Sequence, residues 1–171
     1  ADDVVPRPQR AATPFKTTFT LEDGKIAIVL DTVPVVTGTP ANDAVKVLHD
    51  QVSALFESLG NLTDEIRSED KAVAEAARKK YEAVSEQVTQ LTYEYILNHI
   101  GDKMAARYLY DNRYQLSEEQ QNTILAKADS TFKAQPNIDK LMAHLEVLKK
   151  VAVGKQFTDF EMADAKGEMH K

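Results

Sequence analysis

Residues 45–66 read VKVLHDQVSALFESLGNLTDEI and residues 77–95 read ARKKYEAVSEQVTQLTYEY, and these two stretches decide the fold. In the first, apolar residues recur at alternating steps of three and four: Val45, Leu48, Val52, Leu55, Leu59, Leu62 and Ile66. The second repeats the pattern with Ala77, Tyr81, Val84, Val88, Leu91 and Tyr95. This spacing places one apolar stripe along each of two helices. Stripes of this period pack as a coiled-coil-like seam, so we predict an antiparallel hairpin of two long helices.

The composition is that of a soluble globular domain. The chain has 171 residues, of which 43% are apolar and 28% charged, enough for one sizeable core. The net charge of −6 disfavours a nucleic-acid partner. The basic run 78–80 lies among Glu residues and is interpreted as a solvated helix face. No window of about 20 apolar residues is present, so we expect no membrane span.

The chain contains no cysteine, which excludes a disulfide, a thiol nucleophile and a cysteine-ligated metal within it. It opens at Ala1 without an initiator Met or a signal peptide. We therefore expect either a processed form or a segment of a longer protein.

The first long helix is predicted to begin at Asn42, which can cap free amides, and to continue to about Arg67. Gly60 is a weak point in its middle. Residues 68–70 form the break, and the second helix follows to Ile100.

Three shorter helices are predicted after the hairpin. The first spans residues 102–114. The second starts at a capping box formed by Ser117 and Gln120 and runs until just before Pro136. Asn137 is predicted to cap the last helix.

A small β part precedes the helices. Residues 15–21, 25–30 and 35–37 are predicted to be strands, with a tight turn at Asp23-Gly24 between the first two. One face of the second strand carries Ile26, Ile28 and Leu30. Three short strands cannot cover both faces of a sheet, so this face needs helices, further strands or another copy of the chain. The predicted fold is mainly α: a long antiparallel hairpin plus three shorter helices, preceded by an antiparallel β-hairpin or meander.

Three motifs resemble those of a known family. Residues 19–26 (FTLEDGKI) resemble an F-x-L-E-x-G-x-I strand pair, and residues 38–43 (GTPAND) resemble a G-T-x-x-N-D segment that closes the same β-rich domain. Residues 153–160 (VGKQFTDF), followed by Asp164 and Gly167, resemble a V-G-x-x-x-x-D-F-x-x-x-D-x-x-G lead-in to a thioredoxin-like domain. The family comprises TlpA-type cell-envelope thiol-disulfide oxidoreductases of the alkyl hydroperoxide reductase and thiol-specific antioxidant (AhpC/TSA) group.

The resemblance implies a division of the chain into four parts. Residues 1–14 are a disordered lead-in, and residues 15–41 are the end of an N-terminal uncharacterised β-rich domain. Residues 42–152 form a helical domain, and residues 153–171 are a linker and the start of a truncated thioredoxin-like domain. The family's W-C-x-x-C active site is absent from the chain.

The resemblance also implies a function. The chain would be a non-catalytic module of an envelope, or periplasmic, oxidoreductase, without a cofactor of its own. It would position the downstream thioredoxin-like domain, mediate a homodimer or hold an envelope substrate protein. The alternative is a free-standing helical-hairpin binding or chaperone-like protein of the cell envelope. Because a thioredoxin-type reaction needs a thiolate, the chain itself is not expected to be an enzyme.

Residue chemistry predicts no catalytic, cofactor-binding or metal-binding residue. The histidines lack metal spacing and are interpreted as structural or solvated: His49, His99, His144 and His170. The acidic residues of the hairpin lack an EF-hand pattern and are interpreted as a solvated face: Glu57, Asp64, Glu65, Glu69 and Asp70.

Two further patterns leave alternatives open. The tyrosines either pack in the core and between helices or line a pocket or partner groove: Tyr81, Tyr93, Tyr95, Tyr108, Tyr110 and Tyr114. Residues 61–63 (NLT) fit a glycosylation sequon.

Overall fold

The computed structural model describes residues 16–60, 62–151 and 161–170. These residues form seven helices: α1 Pro40–Glu57, α2 Leu62–Ile66, α3 Lys71–Asn98, α4 Lys103–Asp111, α5 Glu118–Lys127, α6 Ser130–Lys133 and α7 Ile138–Val151. They also form four short strands: β1 Ala27–Val29, β2 Val35–Thr37, β3 Met162–Ala163 and β4 Met169–His170. The predicted fold class, mainly helical with a small antiparallel β part before the helices, is confirmed. The predicted lead-in at 1–14 and the residues 153–160 lie outside the described residues.

The start of α1 differs from the prediction. Thr39 occupies the N-cap position in an extended conformation without a side-chain capping bond, and Pro40 is the first helical residue. Proline suits this position because its φ is preset and its missing N–H would be unbonded there anyway. Asn42, predicted to be the cap, lies inside the first turn, and its side chain reaches back to the segment before β1.

The predicted continuation of α1 to Arg67 is wrong, because the helix ends at Glu57. Gly60 adopts a left-handed φ of 54°, a conformation that glycine tolerates and that terminates a helix. The short helix α2 follows this break. The predicted break at 68–70 contains the cap of α3, where the Asp70 carboxylate accepts from the Ala72 amide at 2.8 Å.

The seam of the hairpin is partly buried: of its thirteen residues, five are buried, seven are half-buried and one is exposed. Helix α3 packs against both α1 and α2, and the buried seam residues are Leu48, Leu62, Ala77, Val84 and Tyr95. Tyr81 is an exception with 47% exposure. It shares an open groove with Phe56, and because α1 ends one residue after Phe56, no long helix continues over Tyr81.

The core lies where the C-terminal part of α3 meets the later helices. Ile96, Leu109, Ile124 and Ile138 are 0% exposed and come from α3, α4, α5 and α7. Complete burial of such a side chain stabilises the fold by about 1.5–3 kcal/mol. The short α6 adds Phe132 to the same cluster.

The later helices confirm the predicted capping box and correct two boundaries. The helix predicted at 102–114 ends at Asp111. The Ser117 amide donates to Gln120 Oε1 at 2.9 Å, and the Gln120 amide donates to Ser117 Oγ at 3.1 Å. The helix that starts there does not run unbroken to Pro136. It ends at Lys127, because the Asp129 carboxylate accepts from the Phe132 amide at 2.8 Å and starts α6 instead.

The β part is smaller and more exposed than predicted. β1 pairs with β2 in antiparallel register, with Ile28 opposite Val36, while the predicted first strand at 15–21 forms no sheet in its described part. The expected burial of one face of the second strand is wrong, since Ile28 is 42% and Leu30 58% exposed. Helix α1 packs against β2, so β1 lies on the outer side of the pair.

Residues 164–167 form a turn, which closes a hairpin between β3 and β4 that the sequence pattern does not indicate. The Gly167 amide donates to the Asp164 carbonyl at 2.9 Å. The Asp164 side chain accepts from the amides of Lys166 and Glu168, at 2.8 and 2.9 Å. These bonds are those of an Asp-initiated turn.

Candidate functional site: a strap across the helix ends

Residues 18–22, here called the strap, cross the starts of α1 and α4. The Thr20 amide donates to Asn42 Oδ1 at 2.9 Å, and Asn42 Nδ2 donates to the Thr20 carbonyl at 2.8 Å. The side-chain amide of Asn42 thus bonds both backbone groups of Thr20, as a neighbouring strand would. The Thr20 hydroxyl donates to Asp102 Oδ1 at 3.3 Å and so connects the strap to α4 as well.

Both ends of the strap have a further anchor. Arg107 Nη1 of α4 donates to the Thr18 hydroxyl at 3.1 Å. Glu22 Oε2 accepts from the Ala41 amide at 3.0 Å, which is one of the unbonded N–H groups of the first turn of α1. A carboxylate is favoured there by the helix dipole.

Residues 38–43 complete the contact. The Gly38 amide donates to Asp43 Oδ1 at 2.9 Å. Gly38 has a φ of +97°, and a Cβ added to it would lie 2.3 Å from the Lys25 carbonyl oxygen. Only glycine fits this position, because the dihedral is unfavourable for other residues and the close approach leaves no room. We call the strap together with residues 38–43 the joint.

The joint brings together two of the three motifs that carry the family resemblance. Thr20 and Glu22 belong to the first motif, and Asn42 belongs to the second. The hydrogen bonds above connect these two motifs directly. The sequence pattern therefore has a structural role here: the two motifs are the two halves of one contact between the β part and the helices.

Three buried polar atoms lie at the end of α3 beside the strap. Tyr95 Oη, His99 Nδ1 and Asp102 Oδ2 make no hydrogen bond within the described residues. The Tyr95 ring centroid lies 4.7 Å from that of His99 and 5.2 Å from that of Tyr108. We call Tyr95, His99 and Asp102 the polar trio. Buried groups of this kind cost free energy unless a water or a small polar ligand bonds them.

Electrostatics keep the Tyr95 hydroxyl neutral. Burial raises the pKa of Tyr95 well above its usual value, and the negative charge of Asp102 raises it further. The Tyr95 hydroxyl is therefore a hydrogen-bond donor or acceptor rather than a base. The trio can hold a polar molecule, but it lacks an activated nucleophile.

Two open grooves flank the strap. One, of about 560 Å³, has an apolar lining that includes Phe19, Leu21 and Met104, with Arg107 at its side. The other, of about 530 Å³, is lined by residues that include Glu22, His99 and Asp102. The strap is thus a wall shared by two recesses.

The histidines and acidic residues that the sequence analysis considered lie in different parts of the structure. Of the histidines, His99 belongs to the trio, His49 is exposed beside the β part, His144 is exposed on α7, and His170 lies in β4. Over residues 16–60, 62–151 and 161–170, no three acidic or histidine residues converge as metal ligands would.

The acidic residues of the hairpin do not form a common site. Asp70 caps α3, and Glu65 lies 3.7 Å from Lys80 across the hairpin. Glu57, Asp64 and Glu69 are exposed.

The tyrosines divide between the two alternatives. Tyr93, Tyr95, Tyr108 and Tyr110 pack in or against the core. Tyr110 also lines a groove beside α7 together with Tyr114, and Tyr81 lines the open groove next to Phe56. The sequon begins at Asn61, which lies outside the described residues.

Sequence reasoning missed the roles of Thr20 and Asp102. Neither residue stands in a spacing typical of a site, and the two are 82 positions apart. The only sequence signal near the joint is the polar pair Asn42-Asp43 within the second motif.

Comparison of the chain with protein-family models, with curated proteins and with solved structures found no match. The resemblance to the oxidoreductase family therefore stays a prediction based on the motifs. Within the part of the chain that the structure describes, no helix combines the length and apolar character needed to span a membrane.

Proposed function

We propose that this chain is the non-catalytic linking module of a cell-envelope, thioredoxin-like thiol-disulfide oxidoreductase. The observation that supports it best is the joint, in which the motifs at 19–26 and 38–43 bond each other. Residues with this much mutual hydrogen bonding fix the β part on the first helix. A linking module needs a fixed connection of this kind to the domain before it if it is to hold that domain in place relative to the redox domain that follows.

Under this proposal the chain positions the redox domain, and the redox domain carries out the disulfide exchange. The chain has no cysteine, so disulfide exchange requires the thiols of a downstream domain. That domain is the first partner of the module, and the cell envelope is its location. Pairing of two copies and retention of a substrate protein are further roles of the same kind.

The gene tests the proposal first. A C-x-x-C motif is expected within about one thioredoxin-domain length, on the order of 100 residues, after Lys171. Its absence there would refute the proposal. With the motif present, the full gene product should reduce insulin disulfides in the presence of dithiothreitol, whereas residues 1–171 alone should give the background rate.

A variant at the joint tests the positioning role in the full gene product. Asn42→Ala should slow reduction of a protein disulfide while leaving reduction of a small disulfide, such as oxidised glutathione, unchanged. Asn122→Ala is the matched control, since Asn122 Nδ2 makes only a local bond to the Glu118 carbonyl. Equal rates for both variants on the protein substrate would contradict a positioning role for the joint.

The alternative function is a free-standing helical-hairpin binding or chaperone-like protein. The apolar groove beside the strap and the exposed Ile28, Leu30 and Val33 favour it, because open apolar surface is what such a protein offers to clients. Suppression of client aggregation by residues 1–171, together with no C-x-x-C downstream, would support this reading over the first.

A further inference from the structure

A further groove lies between the α4–α5 turn and α7 and has a volume of about 410 Å³. Its floor is apolar, since Leu116, Leu141 and Leu145 are only 3–4% exposed. Its polar lining includes Arg113 and Lys140. We call it the α7 groove.

Arg113 is held in place by two aromatic rings. Its Cζ lies 4.2 Å from the ring centroids of both Tyr110 and Tyr114. Nη1 donates to the Tyr110 carbonyl at 2.7 Å, and Nη2 donates to the Tyr114 hydroxyl at 3.1 Å. A guanidinium has five N–H groups, so three remain for a ligand. Because the side chain is already ordered, binding to it costs little conformational entropy.

The α7 groove has a net positive formal charge on a negative protein. Among the described residues that line it, Arg113 and Lys140 are cationic and Glu118 is acidic. The chain as a whole carries a net charge of −6. Such a local reversal of sign favours an anionic partner and steers its approach.

The groove continues into an apolar stripe along α7. Lys140, His144, Val147 and Val151 follow one another at steps of four, three and four, which places them on one helical face. Val147 is 54% and Val151 65% exposed. The face is therefore cationic at its N-terminal end and apolar at its C-terminal end, with the spacing of a helix–helix seam.

We propose that the α7 groove and this stripe bind an acidic amphipathic helix of a partner protein. Carboxylates of that helix bond Arg113 and Lys140, and its apolar residues cover Val147 and Val151. The seam spacing favours a helix over an extended peptide. The exposed Tyr114, at 82%, and the preordered arginine are residue types that dominate protein interfaces. This inference is independent of the redox function proposed above.

The test is fluorescence anisotropy with residues 1–171 and a labelled synthetic peptide. The peptide has about five helical turns, with Glu residues at one end of its apolar stripe. A matched peptide carries Lys at the Glu positions. The Glu peptide should bind at least about tenfold more tightly than the Lys peptide, and the difference should shrink as salt is raised.

Variants of the chain locate the binding. Arg113→Ala and Lys140→Glu should each weaken binding of the Glu peptide by about tenfold or more. Lys71→Glu makes the same charge change at an exposed residue that does not line the groove, and should alter binding by less than about twofold. Lys140 is exposed, so its variant should keep the wild-type circular dichroism spectrum and melting temperature.

Three outcomes would overturn the proposal. They are equal affinity for the two peptides, equal effects of Lys140→Glu and Lys71→Glu, and a dimer of the chain in sedimentation that Lys140→Glu dissociates. The last would show that the occupant is a second copy of the chain.

Discussion

Replacement of Asn42 by alanine should release the strap and destabilise the fold. Asn42 is only 3% exposed. Its side chain bonds the Thr20 amide at 2.9 Å, the Thr20 carbonyl at 2.8 Å and the Thr39 hydroxyl at 2.6 Å. In the variant all three partners lose this bond at once.

The magnitude follows from how far water can replace those bonds. Each hydrogen bond contributes about 1 kcal/mol net, and a buried group left unbonded costs about 1–3 kcal/mol. Thr39 is 2% exposed, so water does not reach its hydroxyl easily. Thr20 is half-buried, so its backbone groups are partly rehydrated when the strap moves. We therefore expect a loss of about 2–4 kcal/mol in the free energy of unfolding.

Urea denaturation followed by circular dichroism measures the loss, and amide hydrogen exchange locates it. In the native chain the Thr20 amide should be protected, while the amides of Phe19 and Leu21, which have no acceptor among the described residues, should exchange faster. In Asn42→Ala the protection of Thr20 should disappear, while Ile96 keeps its protection.

Asn122→Ala is again the control and should cost less than about 1 kcal/mol, because its one bond is exposed. A loss for Asn42→Ala no larger than that of the control, or an unchanged exchange rate at Thr20, would refute the assignment of Asn42 as the clamp of the strap.

Three further predictions concern stability. Ile96→Ala should lower the free energy of unfolding by about 2–5 kcal/mol in a urea melt, since Ile96 is fully buried. Leu55→Ala, at a half-buried position, should lower it clearly less. The reverse order would show that the core does not lie around Ile96. Gly38→Ala should lower the free energy of unfolding more than Gly60→Ala in the same assay. Both glycines have positive φ, but only a Cβ added to Gly38 would lie 2.3 Å from a carbonyl oxygen, that of Lys25. Equal losses would mean that the joint can relax. Burial raises the pKa of Tyr95, so its folded form keeps the proton that the unfolded form loses, and stability should fall as pH rises above about 10. Tyr95→Phe should reduce that fall and be neutral or stabilising at pH 7, because it removes a hydroxyl that has no hydrogen-bond partner among the described residues. An unchanged alkaline slope would contradict the burial of this group.

Local patterns predicted the helices well. The capping box at Ser117 is confirmed with both of its bonds, and the hairpin seam is buried or half-buried at every position except Tyr81, because periodicity and capping depend on residues close in sequence. The helix ends at residues 57, 111 and 127 were not predicted correctly. At residues 57 and 127 a local competitor ends the helix: Gly60 with its left-handed φ, and Asp129 with its own cap.

The joint and the trio could not be predicted from such patterns. Thr20 and Asn42 are 22 residues apart, and Thr20 and Asp102 are 82 apart. Residue propensity favours a strand around Thr20, but residues 16–21 form no sheet. The hydrogen-bond partner of the Thr20 backbone depends on where α1 lies. In this fold the partner is the side-chain amide of Asn42 instead of a neighbouring strand.

Because α3 is long, a small rotation at one of its ends displaces the other end by several ångströms. It has 28 residues, so it extends about 42 Å, and its contribution to the core is concentrated near its C-terminal end, at Tyr95 and Ile96. For a lever of that length, a rotation of about 5° at the C-terminal end displaces the opposite tip, at Asp70, by roughly 4 Å. A change of angle at the C-terminal end that is too small to disturb the core is thus amplified to about the width of a side chain at the far end. A distance probe at Asp70 would therefore report rotations that a probe at the core would miss.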